Sequence, residues 1–370
     1  MKKIAIIGAS YLQLPLVLKS KSMGIETHCF AWKDGAVCKE VADYFYPISI
    51  LDKDEILKKC SEIKIDGITT IATDMAVPTI AYVAKELNLI SNSYESCIIS
   101  TNKSLMRKRF LEFNVRSPKF VEVDSYNENR SHGFNFPLIV KPVDRSGSRG
   151  VSKVNSEVEL IKAITIACKE SFIHKSIVEE FIEGNEVSVE TISWEGIHYV
   201  LTITDKTTTG APHFVELAHH QPSQLPIQIL NTIKEETIKA LNAIGIKYGA
   251  GHTEFRITNE GHVYILEVGA RMGGDFIGSH LVELSTGYDF LKGVVNIALN
   301  DFEEPLLQQK AASGVFFLCK ETEGLNVFFE KSNEFDVEKQ ILNKELKTIT
   351  NSNDRSGYLI YQSDQKVELL

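Results

Sequence analysis

The first 91 residues constrain the fold most strongly, because short apolar runs alternate there with helix-like stretches. The apolar runs are Lys3 to Gly8, Glu26 to Phe30 and Asp66 to Ala72, and their length is that of buried strands. Helix-like stretches such as Asp52 to Cys60 and Ala76 to Leu87 lie between and after them. This alternation predicts a parallel sheet covered by helices.

Length and composition narrow the class of protein. With 370 residues and 43% hydrophobic content, the chain is long enough for two or three structural units with at least two apolar cores. No stretch approaches the roughly 18 to 20 apolar residues of a membrane helix, and the apolar N-terminal run is better explained as a first strand than as a secretory signal. The six cysteines are widely spread without a C-x-x-C pair, so we expect a reduced, cytoplasmic chain without membrane partners.

Two classes of partner are disfavoured by charge and spacing. The net charge of −9 argues against non-specific binding to nucleic acid, which depends on clustered Lys and Arg. The first strand ends in Gly8-Ala9-Ser10, which lacks the G-x-G-x-x-G spacing of a dinucleotide site. A nicotinamide cofactor is therefore not expected.

The pattern changes after residue 93. Helices are predicted over Ser93 to Asn114, and strand-like runs follow, the first from Ser117 to Val123. Ser156 and Glu159 have the spacing of a capping box and predict the start of a helix. A further helix is predicted between Pro226 and Gly245. Beyond about residue 300 the chain returns to strand-like runs, which predicts a small β-rich lobe at 301–370.

A pair of strand-like runs around Asn259-Glu260-Gly261 predicts a β-hairpin. On one face the alternation places Thr253, Phe255 and Ile257 with the apolar Tyr264, Leu266 and Val268. On the opposite face it groups polar side chains: His252, Glu254, Arg256, Glu267 and Arg271.

In this hairpin Glu254 and Glu267 are predicted to lie opposite each other, where like charges are destabilising unless a cation lies between them. Mg²⁺, which takes carboxylate oxygens together with substrate phosphates, meets that requirement. The glycines around Arg271 suggest a close ligand approach. A solvated strand face, neutralised by Arg256 and Arg271, is the alternative.

A second motif joins a lysine to a glycine-rich loop. The apolar strand from Pro137 to Pro142 carries Lys141, and the segment 144–150 (Asp-Arg-Ser-Gly-Ser-Arg-Gly) leads into another strand. A strand follows the loop, so it is not a Walker motif. Its backbone N–H groups can still form an anion-binding nest above Lys141. A flexible turn with an exposed lysine is the alternative.

The order of these motifs, from Asn102-Lys103 through to Leu266-Glu267-Val268-Gly269-Ala270-Arg271, resembles the ATP-grasp superfamily over about residues 100–300. The resemblance implies a mixed α/β fold. A Rossmann-like domain with a parallel sheet would occupy residues 1–98. A two-lobed ATP-grasp domain with antiparallel sheets would occupy residues 99–300, with its lid lobe at about 115–178.

The same resemblance implies a role for each matching residue. ATP phosphates would contact Lys103 and Lys141 beneath the closing loop, and adenine and ribose would lie at the hinge. Mg²⁺ (or Mn²⁺) would bind two carboxylates. Arg271 would support the transferred phosphoryl group. The loop residues are Ser146, Gly147, Ser148 and Gly150. The hinge residues are Glu179, Glu180, Ile182 and Glu186, and the metal-binding carboxylates are Glu254 and Glu267.

Within the superfamily, the segments 216–223 (Glu-Leu-Ala-His-His-Gln-Pro-Ser) and 270–275 (Ala-Arg-Met-Gly-Gly-Asp) are most similar to L-amino-acid ligases, including the alanine–anticapsin type. This similarity implies an ATP-dependent carboxylate–amine ligase that releases ADP and phosphate through an acyl phosphate. In those enzymes the histidine that matches His219 shapes the substrate site, although a structural loop histidine is the alternative. Many members have asparagine where this chain has Gly269, so one-metal and two-metal sites both stay open.

Three other functions stay open. A carboxylase-type or carbamoyl-phosphate reaction uses the same fold, a phosphotransferase would need no amine, and a nucleotide-binding protein would catalyse nothing. The expected partners are a small-molecule carboxylate and an amine, and a homodimer is one of the oligomeric states that the sequence allows.

Overall fold

The N-terminal part of the protein forms the predicted parallel sheet. The computed structural model describes residues 1–124, 133–308 and 310–370. The first elements are β1 (Lys3–Ile7), α1 (Leu14–Ser22), β2 (Glu26–Phe30), β3 (Tyr44–Tyr46), α2 (Lys53–Ile63), β4 (Gly67–Thr69) and α3 (Val77–Glu86). The strands lie in the order β3-β2-β1-β4, and all neighbours are parallel. The predicted parallel α/β unit is confirmed.

Strand β4 is shorter than the predicted run 66–72. Its pairing with β1 ends at Thr69, and Ala72 takes a left-handed conformation with φ 58°. The N–H of Ala72 donates to the carbonyl of Met272 at 3.1 Å. The chain therefore leaves the sheet to contact the next unit, and Asp74 lies beside this contact.

Two helices and a small antiparallel sheet follow. These elements are α4 (Tyr94–Thr101), α5 (Lys103–Glu112), β5 (Phe120–Val123), β6 (Leu138–Pro142), β7 (Ser152–Val154), α6 (Glu157–Glu170) and β8 (Ser176–Glu180). The sheet order is β5-β8-β6-β7, with antiparallel neighbours. The expected lid lobe includes residues 125–132, which lie outside the described residues, and its boundaries stay predictions.

Helix α6 begins where the sequence predicts. The hydroxyl of Ser156 accepts the backbone N–H of Glu159 at 3.4 Å, and the Glu159 carboxylate accepts the N–H of Asn155 at 2.8 Å. These bonds satisfy backbone donors that the first helical turn leaves without partners. They fix the end of the loop that precedes the helix.

The rest of the chain forms an eight-stranded antiparallel sheet with flanking helices. Its elements are β9 (Asn185–Trp194), β10 (Ile197–Thr208), β11 (Glu216–Gln221), α7 (Ile227–Ile244), β12 (Gly249–Ile257), β13 (Val263–Gly269), α8 (Val282–Thr286), α9 (Phe290–Ala298), β14 (Ala312–Leu318), α10 (Asn326–Phe329), β15 (Asp336–Ile341) and β16 (Gly357–Ser363). The strand order is β13-β12-β9-β10-β11-β14-β16-β15. The last three strands, expected in a separate small lobe, extend this sheet through the pairing of β11 with β14. The expected boundaries at 98 and 300 stay predictions.

Helix α7 is amphipathic as its pattern predicts. Ile233, Ala240, Leu241 and Ile244 are buried at helical spacing, and each large apolar side chain contributes about 1.5 to 3 kcal/mol when fully buried. The helix ends at Gly245, whose φ of 82° is a left-handed conformation that glycine adopts without strain. Helix α7 thereby supports the hairpin β12–β13 from behind.

A continuous core joins the N-terminal sheet to the large sheet. It contains Ile4 and Ile6 from β1, Ile192 from β9 and Val295 from α9. Because the two sheets share this core, side chains from the N-terminal unit hold fixed positions against the large sheet. No helix in the part of the chain described by the structure is both long and apolar enough to cross a membrane.

Candidate active site

The hairpin β12–β13 places two carboxylates side by side. Glu254 and Glu267 are direct partners in the register, as the sequence predicts. A bulge follows, because Phe255 pairs with Ile265 and leaves Leu266 without a partner. The prediction that Leu266 lies in the core was therefore wrong, and this side chain lines a pocket beside Glu267 instead.

The bulge also changes which other residues of β13 are buried. Ile265 and Val263 are buried opposite Phe255 and Ile257, whereas Tyr264, predicted on the core face, is half-buried. One extra residue reverses the face on which every following side chain lies. The polar face is nevertheless assembled as predicted.

Most of the predicted site residues line one pocket of about 170 Å³, which we call the inner pocket. Those residues are Lys103, Lys141, Ser146, Gly147, Ser148, Glu179, Glu180, Ile182, Glu186, Glu254, Glu267 and Arg271. Gly150 and His219 line a larger neighbouring space of about 940 Å³, the outer cavity. Glu254, Arg271 and Asp74 belong to the walls of both.

Positive side chains neutralise the paired carboxylates. Lys103 Nζ lies 2.9 Å from Glu267 Oε1, and Lys206 Nζ lies 2.8 Å from Glu254 Oε1. Burial lowers the pKa of Lys206, but Glu254, Glu186 and Glu216 raise it well above its usual range. Lys206 was missed from the sequence, where an isolated lysine in a strand carries no signal of its own.

A histidine adds further positive charge beside Glu254. His252 Nδ1 is hydrogen-bonded to the buried carboxylate of Glu190, and its Nε2 lies 3.3 Å from Glu254 Oε1. Burial lowers the pKa of His252, but the Glu190 carboxylate raises it to about 9. His252 is therefore a cation at neutral pH. The second Glu190 oxygen accepts the N–H of Gly273 at 2.9 Å.

Lys141 is held by a buried carboxylate at the floor of the inner pocket. Its Nζ lies 2.9 Å from Glu179 Oε2, and Arg107 Nε lies 2.6 Å from Glu179 Oε1. Burial raises the pKa of Glu179, but Arg107 and Lys141 lower it below the usual range. The Glu179 side chain thus orients Lys141, and Glu180 and Ile182 line the pocket beside it.

The glycine-rich loop is anchored at its start and exposed at residues 147–149. Asp144 accepts the N–H groups of Phe172 and Ile173, each at 3.2 Å. The carbonyl of Arg145 accepts a hydrogen bond from Lys103 Nζ at 2.7 Å. Beyond these anchors the left-handed Gly147 (φ 67°) and Ser148 (φ 55°) line the pocket, a geometry suited to anions.

At the hinge, Glu186 is held by two cations. Arg256 lies 2.7 Å from Glu186 Oε2, and Lys206 lies 3.1 Å from Oε1. The ring of Phe181 lies 3.8 Å from the ammonium group of Lys153. The hinge therefore combines a flat aromatic surface with a fixed carboxylate.

Arg271 is fixed by a residue of the N-terminal unit. Its Nε and Nη2 donate to the two carboxylate oxygens of Asp74 at 2.9 and 3.0 Å. Burial lowers the pKa of Arg271, but the Asp74 carboxylate raises it. Asp74 was missed, although its place beyond the carboxyl end of a parallel strand is where such sheets bind ligands.

The outer cavity holds His219 without a hydrogen-bond partner among the described residues. The ring is buried on β11, edge-on to Phe317, with Nε2 3.8 Å from Asp275. Burial lowers the pKa of His219, although Asp275 opposes the shift. Arg355, missed from the sequence, binds Asp275 at 2.8 Å and Glu216 at 3.2 Å.

The donor set of the hairpin fits a hard divalent cation that takes its remaining ligands from water or a bound anion. No cluster of three or more His, Cys, Asp or Glu side chains with metal-binding geometry occurs among residues 1–124, 133–308 and 310–370. Two carboxylates that lie opposite each other at the rim of a lysine-lined pocket match Mg²⁺, which takes few protein ligands together with phosphates and water. Glu254 and Glu267 are the residues that would hold it.

Sequence comparison identifies the domain family of the central part of the chain. Residues 134–279 match the family model of the ATP-grasp domain, so this protein contains an ATP-grasp domain. Alanine–anticapsin ligase of Bacillus amyloliquefaciens is 27% identical over 278 residues, which cover 65% of this chain and 58% of that enzyme. Formate-dependent phosphoribosylglycinamide formyltransferase of Prochlorococcus marinus is 26% identical, with 65% and 63% covered. The chain thus spans about three fifths of the length of these relatives.

Comparison with solved structures extends the match to the whole fold. The L-amino acid ligase of Bacillus licheniformis has a TM-score of 0.85 and 24% sequence identity, with 99% of this chain and 94% of that chain covered. At this identity the similarity establishes the fold alone. The predicted mixed α/β architecture, with its parallel N-terminal sheet and antiparallel sheets, is confirmed.

Proposed function

We propose that this protein, which contains an ATP-grasp domain, is an ATP-dependent carboxylate–amine ligase. It would activate a small-molecule carboxylate as an acyl phosphate and join it to an amine, with release of ADP and phosphate. The observation that carries this proposal is the shared wall of the two cavities, where Glu254 and Arg271 face both. A phosphoryl donor in one cavity and an acceptor in the other would meet there. The ligases among the relatives support the proposal.

In the inner pocket, ATP would lie with its adenine at the backbone of Glu180 and Ile182 and its ribose at Glu186. The β- and γ-phosphates would contact Lys103 and Lys141 beneath the glycine-rich loop. Each lysine is held by a carboxylate, Lys103 by Glu267 and Lys141 by Glu179. Mg²⁺ or Mn²⁺, when bound by Glu254 and Glu267, would neutralise phosphate charge.

In the first step, a carboxylate oxygen of the acid attacks the γ-phosphorus, and the bond between that phosphorus and the ADP oxygen breaks. The protein contributes position and charge rather than a covalent group. Arg271 lies at the junction with one face bound to Asp74, so its orientation is set before the substrates arrive. It would stabilise the charge that spreads over the phosphoryl oxygens.

In the second step, the nitrogen of the amine attacks the acyl carbon, and phosphate leaves with the oxygen that came from the acid. The attacking amine must lose a proton. His219 is buried, uncharged at neutral pH and without a hydrogen-bond partner among the described residues, so it can accept that proton in the outer cavity. Asp275, held by Arg355, would stabilise the resulting cation.

A release assay tests this function. A panel of acids is incubated with a panel of amines and ATP, and phosphate, ADP and AMP are measured separately. We expect ADP and phosphate only where an acid and an amine are both present. A phosphorylated product without free phosphate would instead identify a phosphotransferase. Turnover that depends on bicarbonate would identify a carboxylase-type enzyme. Nucleotide binding without turnover would identify a binding protein. AMP formation would contradict the acyl-phosphate mechanism.

A further inference from the structure

Lys206 is a buried cation that contacts three carboxylates of the proposed ATP site. Only 3% of its side chain is exposed, and its Nζ lies 2.8 Å from Glu254, 3.1 Å from Glu186 and 3.6 Å from Glu216. These carboxylates come from three different strands, and Lys206 itself comes from a fourth. A single ammonium group therefore occupies the point at which three acidic side chains converge.

The contacts of the two opposed carboxylates leave limited room for metal ions. All hydrogen bonds from described residues to the Glu254 carboxylate go to Oε1, from Lys206 and His252. The bond from Lys103 to Glu267 likewise goes to Oε1. Each carboxylate therefore has one oxygen, Oε2, without a partner among the described residues. Two such oxygens on adjacent strands can share one cation.

The neighbouring position on β13 cannot add a ligand. Gly269 has no side chain, and a Cβ atom there would lie 2.9 Å from Asp74 Oδ1 and 3.2 Å from Arg271 Cζ. The salt bridge between Asp74 and Arg271 thus occupies the space that a ligating side chain would need. Strand β13 therefore offers no further side-chain ligand at this position beside Glu267.

We propose that Lys206 is a resident cation that takes the place of a second metal ion, so that the nucleotide-loaded protein binds one divalent cation. Phosphoryl-transfer sites commonly use two metal ions about 3.5 to 4 Å apart. Here the ammonium group would supply one of those charges permanently. The inference rests on the proposed ATP site and deepens it.

Counting bound Mn²⁺ tests the proposal independently of turnover. The full chain is saturated with the non-hydrolysable analogue AMP-PNP, titrated with Mn²⁺, and the bound ion is measured by equilibrium dialysis and electron paramagnetic resonance. We expect one Mn²⁺ per nucleotide-loaded chain and the spectrum of an isolated ion. Two ions per chain, with the broadening of a spin-coupled pair, would overturn the inference.

Two variants separate the role of charge from that of packing. Lys206→Met removes the ammonium but keeps an unbranched side chain, and we expect it to bind a second Mn²⁺ at millimolar concentration. Lys206→Arg keeps the charge and should bind one. If Lys206→Met binds only one ion, the resident-cation role is wrong. Circular dichroism checks that each variant is folded. If Lys206→Met does not fold, the numbers of Mn²⁺ ions bound by the wild-type protein and by Lys206→Arg decide whether the proposal holds.

Nucleotide binding is measured in the same samples, because it distinguishes failure of the proposed ATP site from failure of the resident-cation role of Lys206. If AMP-PNP does not bind to the wild-type protein, the proposed function fails. If AMP-PNP binds with two Mn²⁺ ions, the ATP site stands and only the resident-cation inference fails.

Discussion

The inner pocket and the outer cavity share a wall at Arg271 but differ in how their side chains carry charge. In the inner pocket, cations and carboxylates are paired at short distance, as Lys103 with Glu267 and Lys141 with Glu179. In the outer cavity, His219 is buried and its lowered pKa leaves it uncharged. The first environment suits polyphosphate and metal, and the second suits a proton acceptor. The two cavities thus provide different electrostatic environments, one for phosphoryl transfer and one for amine deprotonation.

The largest effect is expected at the shared wall. Arg271→Ala should lower turnover by roughly 10³ to 10⁵, because an arginine at a transferring phosphoryl group contributes about that much. Binding of AMP-PNP, measured by calorimetry, should stay detectable, since the inner pocket keeps its lysines. Arg271→Lys is the matched control: it keeps the charge but loses the two-point bond to Asp74, and it should recover only part of the rate. Near-normal turnover of Arg271→Ala would refute the assignment.

The next effect concerns stability of the inner pocket. Glu179→Gln removes the carboxylate between Lys141 and the fully buried Arg107, and breaking a buried ion pair from one side costs about 3 to 5 kcal/mol. Urea denaturation should show this loss. Glu180→Gln, at a neighbouring carboxylate that is partly exposed, should cost less than about 1 kcal/mol. Equal losses in the two variants would mean that Glu179 does not support the pocket.

Asp74 should act by positioning Arg271 rather than by binding nucleotide. Asp74→Asn keeps the size of the side chain but weakens the paired bonds, and we expect kcat to fall by about 10²-fold, the cost of a small misplacement of a catalytic group. The KM for ATP should stay unchanged. Asp301→Asn, at an exposed carboxylate outside both cavities, is the control and should leave kcat unaltered. A rise in the KM for ATP without a change in kcat would contradict the positioning role.

The smallest effect is a pH dependence that arises beside the outer cavity. Burial lowers the pKa of His220 to about 3, and its ring is hydrogen-bonded to Tyr361 at 2.9 Å. In the unfolded chain this histidine binds a proton below about pH 6.5. Its contribution to folding is therefore fully present above pH 6.5 and is lost as the pH falls towards 3. Between pH 6.5 and pH 5 the loss should be about 1.6 kcal/mol.

Chemical denaturation between pH 6.5 and pH 5 checks whether the free energy of unfolding falls as the pH falls. His220→Gln should flatten the fall in stability, because the variant has no titrating ring. The matched variant His262→Gln, at an exposed position, should keep the wild-type slope. A wild-type protein that becomes more stable as the pH falls from 6.5 to 5 would contradict the burial argument.

The same comparison explains what the sequence could and could not predict. The inner pocket draws on short contiguous segments whose pattern is visible: a two-residue alternation places Glu254 opposite Glu267, and a strand–loop–strand pattern places Lys141 beneath the glycine-rich loop. The outer cavity joins side chains far apart in sequence. Asp74, which lines both cavities, and Arg355, which binds Asp275 in the wall of the outer cavity, are brought there by tertiary packing, which leaves no local pattern.

Two failures inside the predicted elements have local causes. The bulge at Leu266 reversed the face of Tyr264, since one inserted residue cannot be read from alternation alone. The strand ending at Thr69 was predicted too long because its continuation leaves the sheet, and Ala72 donates to the carbonyl of Met272 instead of pairing with β1. Lys206 was missed because its carboxylate partners lie on other strands, so only the folded sheet brings them together.

The most direct test of the central claim follows oxygen from the acid. An acid and amine pair identified by phosphate release is supplied with ¹⁸O in the carboxylate, and the released phosphate is examined by ³¹P NMR. Formation of an acyl phosphate leaves one carboxylate oxygen on the phosphorus, so the account predicts one ¹⁸O per phosphate together with ADP. Unlabelled phosphate, or label in AMP, would contradict it.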